Sequence, residues 1–169
     1  MTAAVLLQQY SKLFQCTGKP VLDLACGAGR NGLYLQQQQI PTIFADQNQA
    51  ALTSIALTPG INAKQCWQVD FEDGQQQLRP NSYQGIVVFR YLHRPLIDNI
   101  KQAVCSGGIV IYETFTVENR QFGRPNRDAF LLQLGELKEM FSDWECLHYF
   151  EGIERNPDRA IAQIVCKKP

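Results

Sequence analysis

The segment V-L-D-L-A-C-G-A-G-R-N-G, residues 21–32, constrains the fold more than any other stretch of the chain. Four strand-forming residues run into a turn carrying Gly27 and Gly29, and a helical period starts at about Arg30 with Gly32 inside it. Glycine reaches positive φ and lets a ligand lie against the main chain at a helix N-terminus. The segment therefore reads as a strand, a ligand-binding turn and a helix. Gly27, Gly29 and Gly32 also satisfy G-x-G-x-x-G, the dinucleotide pattern, so the glycines alone do not choose a cofactor.

The following sequence repeats that unit. Apolar strands are expected at residues 21–24, 40–45, 63–69, 85–89 and 109–112. Helical stretches fall at residues 30–39, at 49–57 and from about Pro95, the last ended by Ser106-Gly107-Gly108. An amphipathic helix over residues 3–14 leads the chain. Continuous apolar strands alternating with helices mark a parallel sheet covered on both faces, so the fold class is α/β, a doubly wound Rossmann-like sheet. A last helix at residues 134–141 precedes strands at 144–150 and 160–167, which the short turn Asn156-Pro157-Asp158 joins as an antiparallel hairpin. Between them, residues 117–131 have neither period and carry Arg120, Arg124 and Arg127 beside Gly123 and Pro125, a candidate lid loop. The expectation is a single domain over residues 1–169, with residues 1–19 as its N-terminal helical segment.

Composition narrows the partners. A chain of 169 residues with 45% hydrophobic content fills one core without a disulfide or metal staple. Sixteen basic and sixteen acidic residues cancel, which speaks against nonspecific nucleic-acid binding and polybasic membrane docking. No apolar run approaches the roughly 20 residues of a membrane span. No basic residue precedes Val5-Leu6-Leu7, so we read no export signal and expect a cytoplasmic protein, monomer or homodimer. Six scattered cysteines without a C-x-x-C pair, and only two histidines, argue against a metal site and for reduced thiols. The glutamine tracts at residues 36–39 and 75–77 read as solvated helix and loop surface.

Three carboxylates stand at successive strands. Asp23 lies inside the first strand, where a pyrophosphate-binding strand stays apolar and where a carboxylate orients the glycine turn and attracts an ammonium group. Asp46 closes the second strand and suits the two hydroxyls of a ribose, whereas Asp70 closes the third beside Phe71 and suits an adenine amine and ring. Each alone is commonly a helix cap or turn former. Three together with the glycine turn describe a ligand edge.

These residues resemble a known family. V-L-D-L-A-C-G-A-G-R-N-G-L-Y-L resembles motif I of class I S-adenosylmethionine-dependent methyltransferases, and G-R-N-x-L-Y-L is most similar to the tellurite-resistance-protein-B-like branch. F-R-Y-L-H-R-P-L, G-G-I-V-I-Y-E-T-F and F-G-R-P are similar to a bacterial subgroup of that branch, and the resemblance runs from about Pro20 to the end. It implies a seven-stranded sheet and a cofactor, S-adenosyl-L-methionine. Carried onto this sequence, Asp23, Cys26, Gly27, Gly29, Arg30 and Asn31 would surround the methionine moiety, with the backbone of Phe89 and Arg90 facing its amino group. Asp46 and Gln47 would bind the ribose, and Asp70 and Phe71 the adenine. The chain departs from the pattern at Gln84-Gly85, where many relatives open the fourth strand with aspartate.

The reading is a methyltransferase acting on a small-molecule acceptor, with a tellurite-resistance-like role among the options. In-line methyl transfer asks the protein to position a nucleophile and exclude water, and a base matters only if the nucleophile carries a proton. Candidates for that work are His93, Glu113, Arg90 and Tyr91, with Arg120, Arg124 and Arg127 as a clamp for an anionic acceptor. Two alternatives stand beside it. One is a non-catalytic S-adenosylmethionine-binding module acting through protein contacts; the other is an NAD(P)-dependent oxidoreductase, for which Asp23 is ill placed.

Overall fold

The strand ahead of the glycine turn is β1 (Val21–Leu24), buried along its whole length as the third strand of a seven-stranded sheet. The computed structural model describes residues 2–75 and 77–169; Met1, and Gln76 within the second glutamine tract, lie outside them. Around β1 the sheet runs β3-β2-β1-β4-β5-β7-β6, with β2 (Thr42–Asp46), β3 (Cys66–Gln68), β4 (Tyr83–Phe89) and β5 (Val104–Phe115) parallel to it. The last two, β6 (Glu145–Glu154) and β7 (Arg159–Lys167), form the expected hairpin, and β7 inserts antiparallel between β5 and β6. The class is thus the doubly wound α/β sheet that the alternation implied.

Helices cover both faces because the strands are apolar on both. On one face α1 (Val5–Tyr10) and α2 (Arg30–Gln37) lay Leu6, Leu7 and Leu35 against Val21, Val87 and Ile111, and α3 (Gln49–Ala56) packs Leu52 and Ile55 on Phe44. On the other, α4 (Ile97–Ala103) and α5 (Glu136–Met140) set Ile97, Ile100 and Leu137 against Val88, Val110 and Tyr112. Gly32 permits the closeness of α2. A Cβ there would overlap the Phe44 ring and stand 2.9 Å from Asp23 Oδ2.

Two expectations need correction. Ser106-Gly107-Gly108 does not end the fourth helix; α4 stops at Ala103, and those residues lie inside β5, which is 12 residues long. Pairing with β4 shifts register between Tyr83 and Gly85, so the glycine cluster marks an irregularity in a strand, a role glycine shares with helix ends. The third strand is also shorter than residues 63–69: Ala63–Gln65 form a 3-10 turn closed by a reciprocal cap between Asn62 and Gln65.

Residues 117–131 are more ordered than a loop without period suggests. Val117–Phe122 and Asp128–Phe130 are 3-10 turns, and Thr116 bridges Leu132. Buried Asn119 accepts a hydrogen bond from Ala160 N at 3.1 Å, fastening the segment to β7.

Candidate functional site

The strands β1, β2, β3 and β4 end at one edge of the sheet, and the turns that follow them enclose a cleft. It has two cavities of about 170 Å³ and 210 Å³ that share Ala25 and Arg90. Asp46, Gln47, Asp70, Phe71, Glu72 and Tyr91 line the first; Asp23, Cys26, Gly27, Arg30, Asn31 and Phe89 line the second. The edge of an open α/β sheet where strand order reverses is the place such folds bind ligands.

The glycine turn is held by two of the carboxylates. Gly27 N donates to Asp46 Oδ2 at 2.7 Å and Gly32 N to Asp23 Oδ2 at 2.7 Å, while Asn48 N donates to Asp46 Oδ1 at 2.8 Å. Gly27 has φ +54°, and a Cβ there would meet no protein atom within 4 Å. The turn therefore presents bare main chain to the cleft. Asp46 keeps lone pairs free for hydroxyl donors, since each carboxylate oxygen accepts more than one bond. At the next strand end Asp70 Oδ1 accepts from Glu72 N at 2.9 Å, and Phe71 stands edge-on to Trp67 with ring centroids 5.7 Å apart.

Asp23 is the most deeply buried carboxylate of the cleft. It is 2% exposed, and burial pushes its carboxyl up to about 7 against the opposing pull of the Gly32 amide and the Arg30 charge. A cationic ligand group in the second cavity would repay that desolvation. Arg90 is the opposite case: burial and the like charges of Arg159 and Arg30 hold its guanidinium below the usual range. Its backbone takes φ +60° and its N–H donates to Glu113 O at 2.8 Å, which fixes the chain where β4 ends. Two arginines beside a buried carboxylate suit a ligand bearing both an ammonium and a carboxylate.

Of the candidates for chemistry, Tyr91 and Arg90 line the cleft and Glu113 adjoins it, because Phe89 in the cleft wall pairs in register with Glu113. Glu113 is 4% exposed; burial raises its pKa, opposed by a 2.8 Å bond from Gln163 Nε2 and by Arg159 at 3.8 Å. Burial and the Glu72 carboxylate raise Tyr91, keeping its phenol protonated. His93 is half-buried at the start of the 3-10 turn Arg94–Leu96 and does not line either cavity. Asn31 lines the second cavity, but its Oδ1 accepts from Ala4 N at 2.9 Å and so ties the N-terminal segment to α2. Arg94, next to His93, pairs with Glu136 at 2.5 Å. Arg120 pairs with Asp128, whereas Arg124 and Arg127 line a separate cavity with Phe115.

Sequence reasoning passed over Arg159, Gln163 and Glu154. Arg159 holds Glu154 through Nε at 2.9 Å and Nη2 at 2.5 Å, and Gln163 bridges Glu113, Glu154 and His148. A signal existed: on β7, Arg159 and Gln163 alternate with Ile161 and Val165 on one face, a polar pair on a face otherwise apolar. Among the described residues no cluster of His, Cys, Asp and Glu is placed to hold a metal ion, all six cysteines are free thiols, and no helix is long and apolar enough to cross a membrane.

Comparison with known proteins places this geometry. The model of the family described as tellurite resistance protein TehB matches residues 11–159. A protein of Haemophilus influenzae named probable S-adenosyl-L-methionine-dependent methyltransferase TehB is 30% identical over 143 residues, which cover 79% of this chain and 48% of that protein. The chain spans about half the length of the curated relatives it matches. The crystal structure of TehB from H. influenzae superposes with a TM-score of 0.75 at 23% identity, over 97% of this chain and 61% of that one. A S-adenosylmethionine-dependent methyltransferase from Methanosarcina mazei gives 0.70 at 15% identity, over 99% of both chains.

Proposed function

Because this chain belongs to the TehB family of tellurite resistance proteins, we propose that it binds S-adenosylmethionine in the two-part cleft and directs its methyl group to a small acceptor. The single observation that carries the reading is the buried Asp23 carboxyl, left without a cationic partner of its own among the described residues, in a cavity that also holds Arg30 and Arg90. A methionine zwitterion supplies the matching charges. Asp46 accepts the ribose hydroxyls from the position where it already braces Gly27, and Asp70 with Phe71 takes the adenine. The bare main chain at Gly27 lets the ligand lie close.

Bound, the cofactor supplies a sulfonium methyl that is open to in-line displacement. The chain's own residues do the rest. Asp23 and Arg90 hold the methionine end still, and Phe89 and Tyr91 keep water from the region between the cavities. Glu113 stands beside that region, its side chain fixed by Gln163 and Arg159, where it takes a proton from an acceptor that carries one. The zero formal charge and the modest cleft support a small acceptor over a polyanion.

Calorimetric titration with S-adenosylmethionine tests the reading. Binding to the wild-type chain and a loss of at least about a hundredfold in Asp46→Ala are expected, from a charged hydrogen-bond acceptor removed twice over. No binding, or undiminished binding to the variant, overturns it.

A further inference from the structure

At the end of β5, past the cleft, the segment after Thr116 encloses a cavity of about 570 Å³ lined by Phe115, Arg124, Pro125, Asn126, Arg127 and Phe130. That is within the range of small-molecule sites, and its make-up is theirs: apolar surface with a few charged groups. The two arginines differ from their neighbour. Arg120 is committed to Asp128 and to the Asn126 carbonyl at 3.3 Å. Arg124 and Arg127, both exposed, make no side-chain hydrogen bond or ion pair among the described residues.

The apolar part also lacks a partner. Phe130 is 46% exposed although Leu131 and Leu132 beside it are fully buried, so the segment is packed at its base and leaves one aromatic ring facing the cavity. Phe115 forms the inner wall. It follows Glu113 by two residues on β5, hence on the same face of the sheet and roughly 7 Å further along. The cavity therefore begins within one small molecule's length of the cleft.

We infer that this cavity is a binding site for an organic anion with an aromatic or branched apolar body, held by Arg124 and Arg127 at its acidic end and by Phe115, Pro125 and Phe130 along its body. An inorganic oxyanion would satisfy the guanidiniums and leave both rings wet. An amphipathic acid uses both, and its far end reaches toward Glu113. The inference names the acceptor class of the proposed methyl transfer and rests on that reading for the occupant's role, while the binding itself stands on the cavity alone.

Fluorescence titration with two dyes of the same ring system tests it: 1-anilinonaphthalene-8-sulfonate, and N-phenyl-1-naphthylamine, which lacks the sulfonate. We expect the sulfonate dye to bind the wild-type chain, and R124Q/R127Q to weaken it at least about tenfold while leaving the neutral dye within about twofold. Phe130→Ser weakens both dyes, and Arg155→Gln, whose side chain pairs with Asp158 in the β6–β7 turn, changes neither. Displacement of the sulfonate dye by 2-naphthoate at lower concentration than by inorganic sulfate supports the amphipathic class. Sulfate displacing as well as 2-naphthoate, or sulfonate-dye affinity unchanged in R124Q/R127Q, overturns it. Running every titration with and without saturating S-adenosylhomocysteine separates the two readings. Cofactor product that binds beside a dye that does not leaves methyl transfer standing and removes this site; the reverse removes the cofactor reading and keeps the site.

Discussion

The two halves of the ligand edge are built differently. On the side of β1, β2 and β3, each carboxylate is bonded by backbone amides close to it in sequence: Asp70 by Glu72 and Asp46 by Asn48, two residues on, and Asp23 by Gly32, nine residues on. The longest reach is Gly27 to Asp46, 19 residues apart. On the side of β5, β7 and β6 the partners are side chains from distant segments. Glu113 meets Gln163 across 50 residues, and Arg159, also on β7, stands 3.8 Å from the same carboxylate. The first half is a set of strand-and-turn units that each carry their own site residue. The second exists only after the hairpin has inserted β7 beside β5.

Gly32→Val attacks the first half at its tightest point, and we expect the largest effect from it. The new side chain overlaps the Phe44 ring and crowds Asp23 Oδ2, so urea denaturation at pH 7 should show a loss of about 3 kcal/mol. A midpoint unchanged from wild type would show that α2 is free to move off the sheet.

Proton linkage at Asp23 comes next. Its pKa of about 7 in the ligand-free fold lies above the ordinary 3.8, so its contribution to stability is full below pH 4 and is lost as pH rises through 7. Cofactor affinity runs the other way, because the ammonium needs the ionised carboxylate. Below pH 7 binding of S-adenosylmethionine should weaken by about tenfold per pH unit, and Asp23→Asn should flatten that slope. A slope that persists in the variant would assign the proton to another group.

Arg159→Ala tests the second half. It leaves Glu113 and Glu154 facing one another, with Glu113 buried, and should cost about 2 kcal/mol at pH 8. The cost should shrink as pH falls, since burial already raises the Glu113 pKa and a proton then replaces the arginine. Cofactor affinity should stay within about threefold of wild type. A large loss of cofactor binding in Arg159→Ala would break the division between halves.

The smallest effect probes their junction. Tyr112 Oη donates to Tyr91 O at 2.9 Å, linking β5 to the turn after β4. Tyr112→Phe should lower stability by about 1 kcal/mol in thermal unfolding, the net worth of one buried hydrogen bond. No change would mean that another group reaches the Tyr91 carbonyl.

How far the sequence could be read follows from the same contrast. Asp46 was legible because a short apolar strand places the residue at its end by length alone, Asp23 because a carboxylate stands out inside an apolar strand, and Asp70 because it closely follows the third strand. The start of β5 is not legible at Ser106-Gly107-Gly108, where glycines permit a strand irregularity as readily as a helix stop. The arginines of residues 117–131 were visible as a group, yet their separate fates were not. Whether a guanidinium meets Asp128, as Arg120 does, or lines a cavity, as Arg124 and Arg127 do, depends on how the segment folds over Phe115.

By itself the sequence determined the doubly wound class, the antiparallel hairpin and most of the residues that line the cleft. These follow from local rules, since periodicity sets the element and glycine sets the turn. Only the tertiary structure decided that Glu113 is buried against Gln163 and Arg159, that Asn31 is tied to Ala4, and that Arg124 and Arg127 share a cavity with Phe115 and Phe130. Such pairings join residues tens of positions apart. Their partners are chosen by strand order and register, which no short stretch of sequence encodes.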